Sequence, residues 1–429
     1  MTHAVQFPRP WRALSALLAA MALVVGCGGG ADSGVGTGGT GSPQSFSQGP
    51  ISGFGSIIVN GVHFDDSAAS VVDDDGNALS NSKDLHLGTV VDVDGGVVTN
   101  NAATATTIRV HVDLVGPVTA AYDGTTGRLA VLGQPVRVVS TTALDGIAGG
   151  AAAITAGTTV RISSLYDLAT GVYVATRIDP APGATHLAIR GAPSAIDTAA
   201  HTFTIGGAVF SYGNVATPTP FAAGQLLRAV LAMAPDGQGR WVVTSFGQAQ
   251  AVLPDGRAGG VDGVVSSVAD ATHFVVNGVS VDATNAKVTP TGATVGVQSR
   301  VVVQGTVTGG VLVATSVHVR AAHDNDDDQG GLAAGAGNGN NGNGNGNGNG
   351  NGNGNGNGND RVEIDGPILT LDTARQTFTM RGPTTVSYAT ASFAGGGKVS
   401  GLAVGVVIDM SGNLSADGTY VIADKIKFH

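Results

Sequence analysis

From residue 49 onward, apolar residues alternate with small or polar ones in short runs, the period-2 signature of strands with one buried face. The segment Gly263 to Asp282, GVVSSVADATHFVVNGVSVD, shows it best: Phe274, Val276, Val279 and Val281 flank Asn277-Gly278. Asn-Gly between alternating apolar residues predicts a two-residue hairpin, because both central residues of a type I′ turn need positive φ. The same landmark recurs with Ile57, Val59, Asn60-Gly61, Val62 and Phe64; with Phe203, Ile205, Gly206-Gly207, Val209 and Tyr212; and with Phe378, Met380, Arg381-Gly382, Val386 and Tyr388. A divergent copy carries Leu129, Val131, Gly133, Val136 and Val138. Each hairpin follows a Gly and a short apolar strand.

Two further landmarks follow every hairpin. One is a Gly leading into an alternating strand: GTVVDVDG from Gly88, GTTVRIS from Gly157, GQLLRAV from Gly224, GVQSRVVVQG from Gly296 and GVVIDM from Gly405. The other is a closing strand: ATTIRV at Ala105, YVATRID at Tyr173, WVVTSF at Trp241, LVATSVHV at Leu312 and YVIADKIKF at Tyr420. Self-similarity at a fixed spacing is the sign of a repeat protein. The expected fold is all-β, a tandem array of about five small barrel or sandwich modules at 49–114, 115–188, 189–255, 256–322 and 361–429. Units of this size are marginal alone, so neighbours are expected to pack together.

Composition agrees. Charged residues make up 12% of the 429 and aromatics 5%, against 68 glycines, which suits short strands and tight turns better than amphipathic helices. Net charge is −10, and only 21 Lys and Arg are spread along the chain, so no nucleic-acid partner is expected. The phrases GPISGFGSIIVNGVHFDD (Gly49 to Asp66), LGTVVDVDG and VATRID resemble bacterial domain of unknown function 5666, most clearly in copies one and four. That resemblance implies exported repeats with small OB-like barrels, and it brings no catalytic residues.

The amino terminus carries a different pattern. Arg9 and Arg12 precede an apolar run from Ala13 to Val25, within signal-peptide length and short for a bilayer span. It ends in Val24-Val25-Gly26-Cys27, which resembles the bacterial lipobox, with Val24 where Leu is usual. The resemblance implies a signal peptide over 1–26, lipidation of Cys27 and a membrane partner reached through that anchor. Cys27 is the sole cysteine, so no intramolecular disulfide forms. Gly28 follows it in place of the Asp that retains lipoproteins in the inner membrane, so the expected location is the outer membrane. A Gly- and Ser-rich flexible tether is expected over 27–48.

Between copies four and five lies HDNDDDQGGLAAGAG and then an Asn-Gly tract, together 323–360. With no apolar side chain to bury and maximal backbone entropy to lose, the tract is expected to be a disordered linker. Copy five would then tumble independently on its tether, or else pack on copy four with the tract bulging out.

Chemistry is sparse. The ten histidines form no His-Glu-x-x-His or His-x-His motif, His318 and His323 being placed at a strand end and in the linker. There is no Gly-x-Ser-x-Gly elbow or Walker loop, and GFGS at Gly53 to Ser56 lacks a third glycine and a following helix. Asp73-Asp74-Asp75-Gly76-Asn77 puts Gly fourth and Asp84 twelfth, so it reads as a polar turn in preference to a calcium loop. Asp324, Asp326, Asp327 and Asp328 read as a solvated charge run. Phe54, Phe64, Phe203, Phe274 and Phe378 are expected inside the modules, as are Trp241, Tyr173 and Tyr420. No catalytic residue, metal ligand or cofactor is assigned. The expected function is a non-enzymatic, lipid-anchored envelope protein with a structural or scaffolding role and an envelope protein or glycan as candidate partner. The alternatives are a glycan- or peptide-binding module and, third, a hydrolytic enzyme whose site follows no motif.

Overall fold

The computed structural model describes residues 45–80, 84–247, 249, 253, 255–320 and 361–429. Cys27, His323 and the linker aspartates lie outside them. The described residues form thirty strands, two short 3-10 turns and no α-helix.

The first module comprises β1 (Ser45–Phe54), β2 (Ile57–Val59), β3 (Val62–Asp65), β4 (Ser70–Val72), β5 (Val90–Gly95) and β6 (Ala102–His111). β1 pairs with β2, β2 with β3, β3 in parallel with β6, β6 with β5, and β5 back with β1. That circuit is a closed five-stranded barrel of OB type, in which the long first strand is shared by both ends of the ring. The short β4 pairs with β6 beyond β3.

The second module repeats the circuit with β7 (Leu114–Asp123), β8 (Arg128–Val131), β9 (Gln134–Ala143), β10 (Thr159–Asp167) and β11 (Val172–Pro180). In the third, β12 (Leu187–Gly191) and β13 (Ala195–Asp197) together stand for the first strand. It continues with β14 (Thr202–Ile205), β15 (Ala208–Ser211), β16 (Leu227–Leu231) and β17 (Trp241–Gly247). The fourth has β18 (Ala258–Asp270), β19 (His273–Val276), β20 (Val279–Asp282), β21 (Lys287–Thr289), β22 (Arg300–Thr308) and β23 (Val311–Val319). The fifth has β24 (Val362–Pro367), β25 (Thr370–Asp372), β26 (Thr377–Met380), β27 (Thr384–Ser387), β28 (Ser392–Ala394), β29 (Val407–Leu414) and β30 (Val421–Phe428).

The three landmarks have physical causes. Asn60 and Gly61 sit at φ 55° and 75°, Asn277 and Gly278 at 49° and 78°, as the hairpin requires. In the divergent copy Leu132 takes the strained first position at φ 56°. Each turn side chain then folds back over the glycine that opens the module. Asn60 Nδ2 donates to Gln48 O (2.9 Å), and Asn277 Nδ2 to Asp262 O (3.0 Å). A Cβ on Gly49 would lie 2.7 Å from Asn60 Oδ1, and one on Gly263 2.5 Å from the Asn277 amide. At Gly116 the intruder is Leu132, at 2.4 Å. The paired closing strands carry a bulge in each module, for example between Gln304 and Gly305 or Ser411 and Gly412, bending the wall into closure.

Phe54, Phe64, Phe203, Phe274, Phe378 and Tyr173 are buried as the alternation predicts, while Trp241 and Tyr420 are half-buried. The cores do not follow chain order. Modules one and five share one, with Phe54, Ile57 and Phe64 packed in the same cluster as Phe378, Met380 and Ile408. Modules two and three share another around Tyr173, Phe203 and Phe210, whereas module four has its own.

Two expectations change here. β1 begins at Ser45, four residues inside the segment expected to be tether. Its polar sequence hides the strand, because Ser45 to Gln48 is held by main-chain pairing to both β5 and β18. Copy five does not stand apart, and its strand pairing is with copy one: Gly53 and Phe54 of β1 pair in parallel with Glu363 and Ile364 of β24. Arg381 caps that seam, ion-paired with Asp66 and lying over the Phe54 ring at 5.4 Å. A large buried apolar contact outweighs the freedom that a tether would give.

Candidate functional site

The polar turn after β4 carries the densest chemistry in the molecule. Asp73 Oδ1 accepts from the backbone N–H of Asp75 (2.9 Å) and Asn77 (2.8 Å), and the Asn77 amide donates to Asp73 Oδ2 (2.9 Å). With Gly76 at φ 81°, these bonds close the turn and push the next two carboxylates outward from the first barrel. They meet two arginines of module three, Arg190 on β12 and Arg228 on β16, which face each other directly across the ladder.

Asp74 separates these like charges. Its Oδ1 accepts from Arg190 Nη2 and from His111 Nδ1, both at 2.6 Å, and its Oδ2 accepts from Val112 N at 3.1 Å. Arg228 holds Asp75 with a two-pronged contact of 2.6 and 2.9 Å. The other ring nitrogen of His111, Nε2, lies 2.7 Å from Asp92 Oδ2, and Gln48 Nε2 donates to Asp92 Oδ1 at 2.9 Å. Asp113 receives Ser164 N (3.0 Å) and Ser164 Oγ (2.6 Å), and its other oxygen is 3.3 Å from Arg190 Nε. All of these side chains except Asp75 and the half-buried Gln48 are nearly or fully buried.

The electrostatics follow from that enclosure. Burial works against the charge on Asp74, but Arg190 beside it, with the charge and hydrogen bond of His111, holds the carboxyl well below the usual range. Burial also disfavours the imidazolium of His111. Asp92 and the hydrogen bonds to both aspartates prevail over that and over Arg190, and push the pKa up to about 9. For Asp113 burial dominates, and the carboxyl is pushed up. Arg190 Nη2 also lies 3.0 Å from His111 Nδ1, so the imidazole is enclosed between one guanidinium and two carboxylates. Two cavities adjoin the cluster, one of about 50 Å³ beside His111 and Arg190 and one of about 330 Å³ lined in part by Asp73, Asp74, Asp75 and Arg228. This constellation locks module one to module three.

The sequence singled out the Asp73–Asn77 turn and read its shape correctly, without foreseeing what it docks against. His111, Asp92, Arg190 and Arg228 were missed. The available signal was a charge in mid-strand between apolar neighbours, as in VVDVDG and LLRAV, in a chain poor in charge. His318 is at a strand end as expected, with its Nδ1 3.0 Å from Thr289 Oγ1.

A second cluster lies on the surface of module five. Asp365 on β24 stands directly opposite Asp409 on β29, and His429 follows β30. His429 Nε2 is 2.5 Å from Asp409 Oδ1 and 3.7 Å from Asp365 Oδ1. One ligand atom from each of the three lies within 4.8 Å of the others, the one such group among the described residues. Burial, the Asp409 carboxylate and its hydrogen bond push Asp365 up, while Asp409, although burial opposes it, is drawn down by His429.

A family model described as a domain of unknown function (DUF5666) matches residues 48–109, 115–179 and 359–427, the strands of modules one, two and five. Modules three and four, outside those matches, have the same strand circuit. A search of curated proteins finds no match.

Proposed function

For this DUF5666 repeat protein we propose a non-enzymatic, structural role in the cell envelope, anchored in the outer membrane by lipid on Cys27. The observation that supports it is the use made of the ionisable side chains on the outer walls of the barrels. In module one, Asp74, buttressed by His111 and through it by Asp92, fastens module one to Arg190 of module three. Arg177 does the same between modules one and two, donating to Leu87 O at 3.1 Å. Val90, Leu165 and Val264 bring modules one, two and four together in a small apolar contact. Five barrels joined in this way make one firm body, suited to holding a partner at a set distance from a membrane.

Crosslinking in intact cells, followed by purification through the mature chain, tests this reading. A defined envelope protein that crosslinks to wild type and is lost with Cys27→Ser supports it. Turnover of a glycan or peptide by the purified chain would overturn it. A second reading, glycan or peptide binding, has one observation in its favour: an open groove of about 660 Å³ between modules two and five, lined in part by Tyr122, Arg137 and Asp417. Saturable binding of an oligosaccharide, weakened by Tyr122→Ala, would favour that reading.

A further inference from the structure

We propose that Asp365, Asp409 and His429 form a site for a divalent transition metal, and that zinc is the ion its donor chemistry fits. The argument begins with register. Asp365 and Asp409 are partners across the β24–β29 ladder, so their side chains leave the same face of the sheet side by side. The β29–β30 ladder sets Phe428 opposite Ile408, and His429 N donates to Val407 O at 3.3 Å, which brings the imidazole to the same face. Three strands thus deliver three donors to one point, although the residues are far apart in sequence.

Two like charges directly opposite each other destabilise a sheet unless a cation sits between them. Lys427 Nζ reaches only one of the pair, 3.6 Å from Asp409 Oδ2. Module one adds to the arrangement. The backbone at Gly55 passes so close that a Cβ there would lie 2.8 Å from Asp365 Cβ, so docking of the two modules restricts the carboxylate. His63 of module one lines the same groove, of about 390 Å³, but is not one of the three converging donors, which leaves the remaining position to water.

The donor set selects among metals. Calcium takes about six to eight oxygen ligands, and two carboxylates with an imidazole do not provide them. Mixed nitrogen and oxygen donors suit zinc and its transition-metal neighbours. Bonds of about 2.0–2.1 Å in a tetrahedron set donor atoms about 3.4 Å apart. The separations of 2.5 and 3.7 Å bracket that value, so the imidazole of His429, 45% exposed, needs only a small shift to reach it. The competing description is a plain ion pair between imidazolium and carboxylates, which would bind no metal.

The test uses the full chain in detergent, stripped with chelator, then titrated with cobalt(II) as a spectroscopic probe and with zinc in competition. The proposal expects one ion per chain at this site and visible d–d bands of a four- or five-coordinate ion that zinc abolishes. His429→Gln and Asp365→Asn should each weaken binding at least about tenfold, and Lys427→Gln, by removing a competing cation, should tighten it. Circular dichroism of each variant establishes that the fold is retained. Absence of stoichiometric binding overturns the proposal. So does binding that His429→Gln and Asp365→Asn leave unchanged, which would place the metal elsewhere on the chain.

Discussion

Arg190→Met is the sharpest perturbation of the junction between modules one and three. Methionine keeps most of the apolar stem and removes the guanidinium, which contacts Asp74 at 2.6 Å and Asp113 at 3.3 Å. The substitution leaves Asp74 with His111 and the more distant Arg228 Nε at 3.5 Å, and Asp113 with Ser164 alone. Removing one member of a buried ion pair costs about 3–5 kcal/mol, because the remaining charge stays desolvated without its partner. With two carboxylates affected, the upper half of that range is expected. The assay is urea unfolding of the chain without residues 1–26, followed by the fluorescence of Trp241, the one tryptophan left, which lies in module three. Asp74→Asn added to Arg190→Met should recover part of the loss, a coupling of about 1–3 kcal/mol in the double-mutant cycle. A loss below about 1 kcal/mol for Arg190→Met, within the range of exposed ion pairs, would refute the account of a buried, interlocked network.

Other consequences are open to measurement. The raised pKa of His111 means that its contribution is complete below its unfolded value of about 6.5 and is lost as pH climbs through about 9, a span of up to about 3 kcal/mol; urea midpoints should fall over that interval in wild type but not in His111→Gln. The depressed Asp74 works in the opposite sense, its contribution being present above the ordinary carboxylate range and lost as pH falls below it, so the junction is firmest in mildly acidic solution. Gly53→Val should prise module five from module one, since a Cβ there would lie 2.1 Å from Glu363 O; after cleavage near Arg361 the carboxy-terminal fragment should separate on a sizing column from the variant and co-elute with the rest in wild type. Cys27→Ser should abolish labelling by a palmitate analogue and release the protein from membranes, and a variant that still labels would refute the lipidation proposal.

The barrels were legible in the sequence because their determinants are local. An Asn-Gly pair demands its turn wherever it stands, and alternating valines fix which face of a strand is buried. The register of β19 with β20, or of β2 with β3, follows from a few consecutive residues. What lies between barrels was not legible, because the same alternation that buries Val91 and Val93 assigns Asp92 to the outside. In an isolated barrel that outside is solvent. In this protein it is the interior of a larger body, and the period-2 pattern cannot distinguish the two. The turn at Asp73 shows the limit from the other direction: local hydrogen bonds reproduce its expected shape, while its partners, Arg190 and Arg228, lie more than a hundred residues away.

The seam between modules one and five completes the reasoning about the array. In a linear solenoid each repeat touches its sequence neighbours and the two terminal repeats need polar caps. Here β1 pairs with β18 of module four through its first half and with β24 of module five through its last residues, so a single strand meets two other modules. Modules one and five therefore share a core and cover part of each other. The same economy explains the sequence of β1 and the turn after it: Gly49, Gly53 and Gly55 leave room for a turn asparagine, a neighbouring carbonyl and the side chain of Asp365 in turn. The two-glycine phrase GFGS is thus a surface for close backbone approach by another barrel.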